Sequence, residues 1–108
     1  MISLIRALIV AVAIGHGLTP SALDALARCE TGGTYDPAIV SADGRYTGLL
    51  QEDETFMGHR REWAATQGVD FDPYDAAQQL NYGAEVIVAR GAGDWPTCGR
   101  IAGFRIRG

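Results

Sequence analysis

The chain has 108 residues, enough for one small domain and too few for two. It is 47% hydrophobic and 20% charged, so it can bury a core and is not a disordered segment. Its net charge is −4 and its nine basic residues are all Arg, which excludes the basic surface that a nucleic-acid binder needs.

Residues 1–17, MISLIRALIVAVAIGHG, have the make-up of an export signal: Arg6 is the positive element, Ala7 to Ile14 the apolar stretch, and Gly15-His16-Gly17 the small-residue site. A short anchor and an N-terminal core helix are the alternatives. The apolar run falls short of the roughly 20 residues that span a bilayer. After export, Cys29 and Cys98 are the right number for one disulfide; two buried thiols are the other reading.

Thr19-Pro20 opens the next helix, Thr as N-cap and Pro at the first helical position, and the helix runs to Glu30 before Gly32-Gly33. Residues 34–50 suit an irregular hairpin turning at Ala42-Asp43-Gly44-Arg45. A helix follows over Asp53–Gln67, ended by Gly68, with Phe56, Arg60, Trp63 and Gln67 on one stripe. After the VDFD loop, Asp72 reads as a cap and Pro73 as the start of another helix, with Ala76, Leu80, Ala84, Ile87 and Val88 as its apolar face and Gly91 as its end. Residues 100–108 read as a frayed basic tail.

Two His and two Cys offer no zinc set, and neither Gly cluster has the strand, Lys and Ser/Thr of a phosphate loop. Glu30 is the most informative titratable residue. It shares a helical stripe with Leu23 and Leu26 and stands at a helix C-terminus. Burial and the helix dipole both raise a carboxyl pKa there. A carboxylic acid still protonated near neutral pH can protonate a glycosidic oxygen. The helix argument alone leaves a second reading open, a Glu turned to solvent at a fraying end. In Glu52-Asp53-Glu54 the carboxylates suit a helix N-terminus, while Asp53, or Asp43 in the turn, is also a candidate second catalytic carboxylate.

Four words of the sequence carry a resemblance. Cys29-Glu30-Thr31-Gly32-Gly33 resembles the C-E-S-G-G signature of resuscitation-promoting factors, and Trp95-Pro96-Thr97-Cys98 the W-P-x-C that closes those domains. Gly48-Leu49-Leu50-Gln51 resembles the G-L-M-Q or G-L-Q motif of soluble lytic transglycosylases and goose-type lysozymes. Asp72-Pro73 with Gln79-Leu80-Asn81-Tyr82-Gly83 resembles the D-P…N-I-x-x-G helix, with Gln79 where Asn is usual; the late A-Y-N motif is missing. The words occur in family order over residues 19–99.

The resemblance implies an α+β, mainly α, lysozyme-like domain at 18–99 with a short hairpin and a Cys29–Cys98 bridge. It implies a secreted, monomeric enzyme without cofactor or metal. Its partner is peptidoglycan glycan, cut at the β-1,4 bond between N-acetylmuramic acid and N-acetylglucosamine, with no nucleic acid and no membrane once the leader is gone. Glu30 matches the family's catalytic acid and Gln51 its groove glutamine; Thr31 keeps the hydroxyl of the usual Ser. Tyr35 and Tyr46, which flank these motifs, are candidate sugar-stacking residues or core. Trp63 and Tyr82 read as core, Trp95 as a cover for the bridge and His59 as a surface residue. Two other classes compete: a wall-binding module without activity, and a disulfide-stapled structural or inhibitor protein.

Overall fold

The computed structural model describes residues 2–105. Five helices follow in order: α1 (Ile2–His16), α2 (Pro20–Glu30), α3 (Glu54–Gln67), α4 (Ala76–Arg90) and the short α5 (Cys98–Ile101). Among the described residues the hairpin region is reduced to two antiparallel bridges, Val40 with Thr47 and Thr47 with Glu52. The Cys29–Cys98 disulfide ties the end of α2 to the start of α5. The result is a small, mainly helical, lysozyme-like domain.

The segment with the make-up of an export signal forms α1. Ile9, Val12 and Ala13 are buried, and the helix packs on α2 and α4. Apolar spacing alone does not separate a leader from a core helix; here polar contacts fix the helix at both ends. The Arg6 guanidinium donates to both carboxylate oxygens of Asp24, at 3.0 and 3.1 Å. His16 Nε2 lies 2.9 Å from Asn81 Oδ1 on α4. Leu4, Val10 and Ile14 remain exposed on the outer side of α1. At 15 residues, α1 is not long enough to cross a membrane.

Helix α2 starts at Pro20, as the proline signal predicts, and buries Leu23, Leu26 and Ala27; Thr19 stands at the N-cap position, but its side chain makes no cap hydrogen bond. Helix α3 is capped by Asp53, whose carboxylate accepts from the Phe56 amide at 2.8 Å. It closes on Gly68 at φ 71°, a left-handed position that glycine occupies without strain.

Helix α4 begins later than the Asp72-Pro73 signal predicts. Asp75 is its cap, accepting from the Gln78 amide at 2.9 Å. Asp72 instead folds the preceding turn, its carboxylate accepting from the Tyr74 amide at 2.9 Å, the local bond that lets Asp compete with a helix start. Val88 is also corrected: it is 59% exposed, and Val86 is buried in its place. The tail is less frayed than expected. Residues 98–101 form α5, Phe104 packs against the core, and its amide donates to the Gly99 carbonyl at 2.9 Å. Residues 106–108 of that tail lie outside the described residues.

Candidate active site

Glu30 is the last residue of α2. The turn over residues 31–35 holds that helix end in place. The Thr31 hydroxyl donates to the Ala27 carbonyl at 2.8 Å and accepts from the Tyr35 amide at 3.0 Å. The Gly33 amide, at φ 85°, folds back to the Arg28 carbonyl at 2.8 Å. The hydroxyl of the T-G-G word thus closes the helix end, and the neighbouring Cys29 anchors it through the bridge. Glu30 itself is half-buried. Burial raises its carboxyl from the ordinary 4.5 to about 7, because a low-dielectric setting penalises the charged form.

Glu30 opens into a cleft of about 310 Å³ that Tyr46, Gln51, Asp94 and Trp95 also line. The same four residues line a second section of about 220 Å³ running on toward Asp53, Phe56 and His59. The two sections therefore form one groove with the raised acid near one end.

The floor of the groove is the loop 46–52, and buried polar groups hold it. Gln79 of α4 is the hub: its Oε1 accepts from the Leu49 amide at 2.9 Å, and its Nε2 donates to the carbonyls of Pro37 and Pro73 at 2.8 and 2.9 Å. The Gln that departs from the usual Asn is thus fully used. Gly48, at φ 88°, lies so close to the Gln79 amide that a Cβ there would overlap it. Gln51 sits at φ 51°, a left-handed conformation uncommon for a residue with a Cβ. Its Nε2 donates to the Gly48 carbonyl at 2.9 Å and, more weakly, to Ile39 at 3.5 Å.

Of the candidates named from the sequence, the fold brings Glu30, Gln51 and Tyr46 to one cleft. Tyr35 is not among its lining residues, which corrects its reading as a sugar-stacking residue. It is 5% exposed, its hydroxyl donates to Asp24 Oδ2 at 2.9 Å, and the Arg6 guanidinium lies 5.4 Å from its ring centre. The Tyr35 backbone is left-handed, at φ 51°. Asp53 lines the outer section and is occupied as a helix cap. Asp43 stays in the exposed turn, bonded to the Ser41 hydroxyl and the Arg45 amide, which hold its carboxyl below its usual range. His59 is exposed and lines the outer section. Trp63 donates to Glu85 at 2.7 Å, and Trp95 turns its indole to the Leu50 carbonyl and packs edge-on against Phe56.

Two features escaped sequence reasoning. Asp94, held by Arg90 at 2.7 Å, lines the cleft beside Glu30; its place directly before the W-P-T-C word is the signal that points to it. Glu52 belongs to no helix N-terminus. It pairs with Thr47 through its backbone and with Arg60 through its side chain, fully buried. Nothing in an acidic triplet distinguishes the buried member from its neighbours.

A family model described as a transglycosylase-like domain matches residues 18–98. Resuscitation-promoting factor RpfC of Mycobacterium tuberculosis (strain ATCC 35801 / TMC 107 / Erdman) is 34% identical over 96 residues, covering 87% of this chain and 61% of its own length. Resuscitation-promoting factor RpfA of M. tuberculosis (strain CDC 1551 / Oshkosh) is 35% identical over 81 residues, 71% of this chain and 18% of its own. The chain therefore spans less than two thirds of these relatives. No solved structure matches. With the match extending from Leu18 through the bridging Cys98, the chain belongs to the transglycosylase-like domain family and is similar to the resuscitation-promoting factors.

Proposed function

We propose that this chain cleaves peptidoglycan at the β-1,4 bond between N-acetylmuramic acid and N-acetylglucosamine, as a lytic transglycosylase or muramidase. The observation that carries the reading is Glu30: a carboxyl raised to about 7 by burial, opening into a groove with Gln51 and Tyr46. In that state Glu30 donates its proton to the glycosidic oxygen as the bond breaks. The resulting carboxylate then takes a proton from the attacking group. If that group is the sugar's own 6-hydroxyl, a 1,6-anhydro end results; if it is water, a reducing end. Tyr46 offers a ring face, and the Gln51 amide a polar contact, to the acetamido sugars.

The disulfide supports action outside the cytoplasm, where such bonds persist, and the make-up of residues 1–17 supports export. The packing of α1 favours retention of that segment in the folded domain. We read the protein as a monomer that needs no cofactor or metal.

The test is incubation of the oxidised full chain and of Glu30→Gln with purified peptidoglycan, followed by mass spectrometry of the soluble fragments. Anhydro-muramyl ends that vanish with Glu30→Gln support a transglycosylase. Reducing ends support hydrolysis and direct the search for a base to Asp94, in the cleft beside Glu30. Binding to insoluble wall without fragments supports a non-catalytic module, and neither binding nor fragments a structural role.

A further inference from the structure

The groove floor ends in a buried charge that the acid chemistry does not use. Glu52 is the residue directly after Gln51. Its amide donates to the Thr47 carbonyl at 2.7 Å and its carbonyl accepts from the Thr47 amide at 2.9 Å. Its carboxylate lies 3.0 Å from Arg60 Nη1, with both side chains fully buried. Arg60 Nη2 donates to the Asp72 carbonyl at 2.7 Å, and the Phe71 ring centre lies 4.9 Å from its guanidinium. One ion pair thus joins the groove floor, α3 and the loop ahead of α4.

The pair is poorly built for stability alone. It lies within ion-pairing distance, yet neither Glu52 oxygen nor Arg60 Nε or Nη1 makes an aligned hydrogen bond. A buried pair lacking such bonds struggles to offset its desolvation, and well-packed apolar residues often do as well or better. Its position suggests what it does. Gln51 holds a left-handed conformation, φ 51°, that persists only where its surroundings over-determine it. Upstream, Gly48 accepts from the Gln51 amide at 3.1 Å; downstream, the next residue is Glu52. With the Gln51 Nε2 donating to Gly48 and Ile39, the amide oxygen is the atom left to accept a hydrogen bond from a sugar.

We propose that Glu52, through its ion pair with Arg60, is the positioning residue of the groove: its charge holds Gln51 in the conformation that presents the amide oxygen to an acetamido sugar, and neutralising that charge weakens substrate binding while leaving the acid Glu30 untouched. The substrate part of this inference rests on the peptidoglycan reading; the positioning part does not. Burial favours neutral Glu52 and holds its carboxyl above the ordinary range; Arg60 opposes this and the neighbouring Asp53 adds to it. Around Arg60 stand Asp72 and Asp75 ahead of α4, and Arg61 on α3; Tyr82 of α4 also senses Glu52. Glu52 protonation leaves the Arg60 charge buried against the Asp72 carbonyl and the Phe71 ring, which favours rearrangement of this end of the loop.

The experiment has two arms on the oxidised full chain. In the first, the Gln51 backbone and side-chain amide resonances of ¹⁵N-labelled protein are tracked from acid to alkaline pH without substrate. Glu30 and Asp94 line the same cleft as Gln51, so the comparison is made in the Glu30→Gln background: there we expect a titration above the ordinary carboxylate range that disappears in Glu30→Gln/Glu52→Gln. No such titration in Glu30→Gln, or one retained in Glu30→Gln/Glu52→Gln, overturns the proposal. In the second arm, Glu52→Leu/Arg60→Met replaces the pair by apolar residues of similar volume, so that folding is kept if Glu52→Gln alone does not fold. Against soluble peptidoglycan fragments we expect KM to rise about tenfold, on the order of one lost hydrogen bond, with kcat nearly unchanged. A folded double variant with unchanged KM makes the pair merely structural and overturns the proposal. If the unsubstituted chain cleaves nothing, the peptidoglycan reading falls, and the Gln51 titration still decides the positioning role.

Discussion

The indole Nε1 of Trp95 donates to the carbonyl of Leu50 at 2.8 Å, across 45 positions of sequence. This bond ties the W-P-T-C word to the groove-floor word G-L-L-Q. The same W-P-T-C word ends in Cys98, bridged to the residue before Glu30. Acid, bridge and floor thus form one connected unit. Trp95→Phe keeps most of the buried ring and removes the donor. The Leu50 carbonyl is then left buried without its partner, at a cost of about 1–3 kcal/mol. Urea unfolding of the two proteins checks this, and an unchanged midpoint would show the bond to be dispensable.

Glu30→Gln should abolish cleavage, because the amide is nearly isosteric and has no acidic proton to give. Its effect on stability has a definite sign. Folded Glu30 keeps its proton up to about 7, against the ordinary 4.5. Between those values the folded chain binds more protons than the unfolded one, so the Glu30 contribution is full below 4.5 and is lost as pH rises through about 7. Glu30→Gln removes that loss. Its melting temperature relative to the parent should therefore be higher at about pH 8 than at about pH 3.5, each roughly one unit outside the window. A difference that does not change with pH would mean that the Glu30 pKa is not raised.

Cleavage should depend on the same carboxyl. An acid that must start protonated gives kcat/KM an alkaline limb at the pKa of the free enzyme, here about 7 for Glu30. A pH series on soluble fragments locates the limb. A limb near the ordinary carboxylate range instead would take the proton donor's role away from a buried Glu30.

Reduction should destabilise the domain substantially. The bridge closes a loop of sequence separation 69, worth about 4 kcal/mol in the chain-entropy model. Thermal melts with and without reductant measure it directly. An unchanged melting temperature would mean that the helix contacts alone hold α2 against α5.

Helix α1 should behave as part of the core. Ile9 is fully buried, and Ile9→Ala should cost about 2–5 kcal/mol through lost burial and the cavity left behind. Urea unfolding of the full chain tests this. A cost near zero would mean that α1 is only loosely docked.

Most helix ends are legible locally. Pro20, Asp53, Gly68 and Gly91 mark them because a first-turn proline, a side-chain cap and helix-ending glycines act within a few residues. The raised carboxyl of Glu30 is half legible: the apolar stripe is written in the spacing of α2, but burial, the cause of the shift, depends on what covers that helix end. The start of α4 is not, because Asp72 and Asp75 carry the same capping chemistry, and only the turn at Pro73 chooses between them.

The sequence by itself determined the helical frame and supplied one Cys pair and a candidate acid in Glu30, because each depends on residue type and short spacing. The tertiary structure alone decided which polar groups go inside. It placed Tyr35 against Asp24 rather than in the groove, brought Asp94 to the acid's cleft, and buried Glu52 on Arg60. Those outcomes depend on which distant element covers a side chain, and burial by a distant neighbour leaves no mark on local spacing.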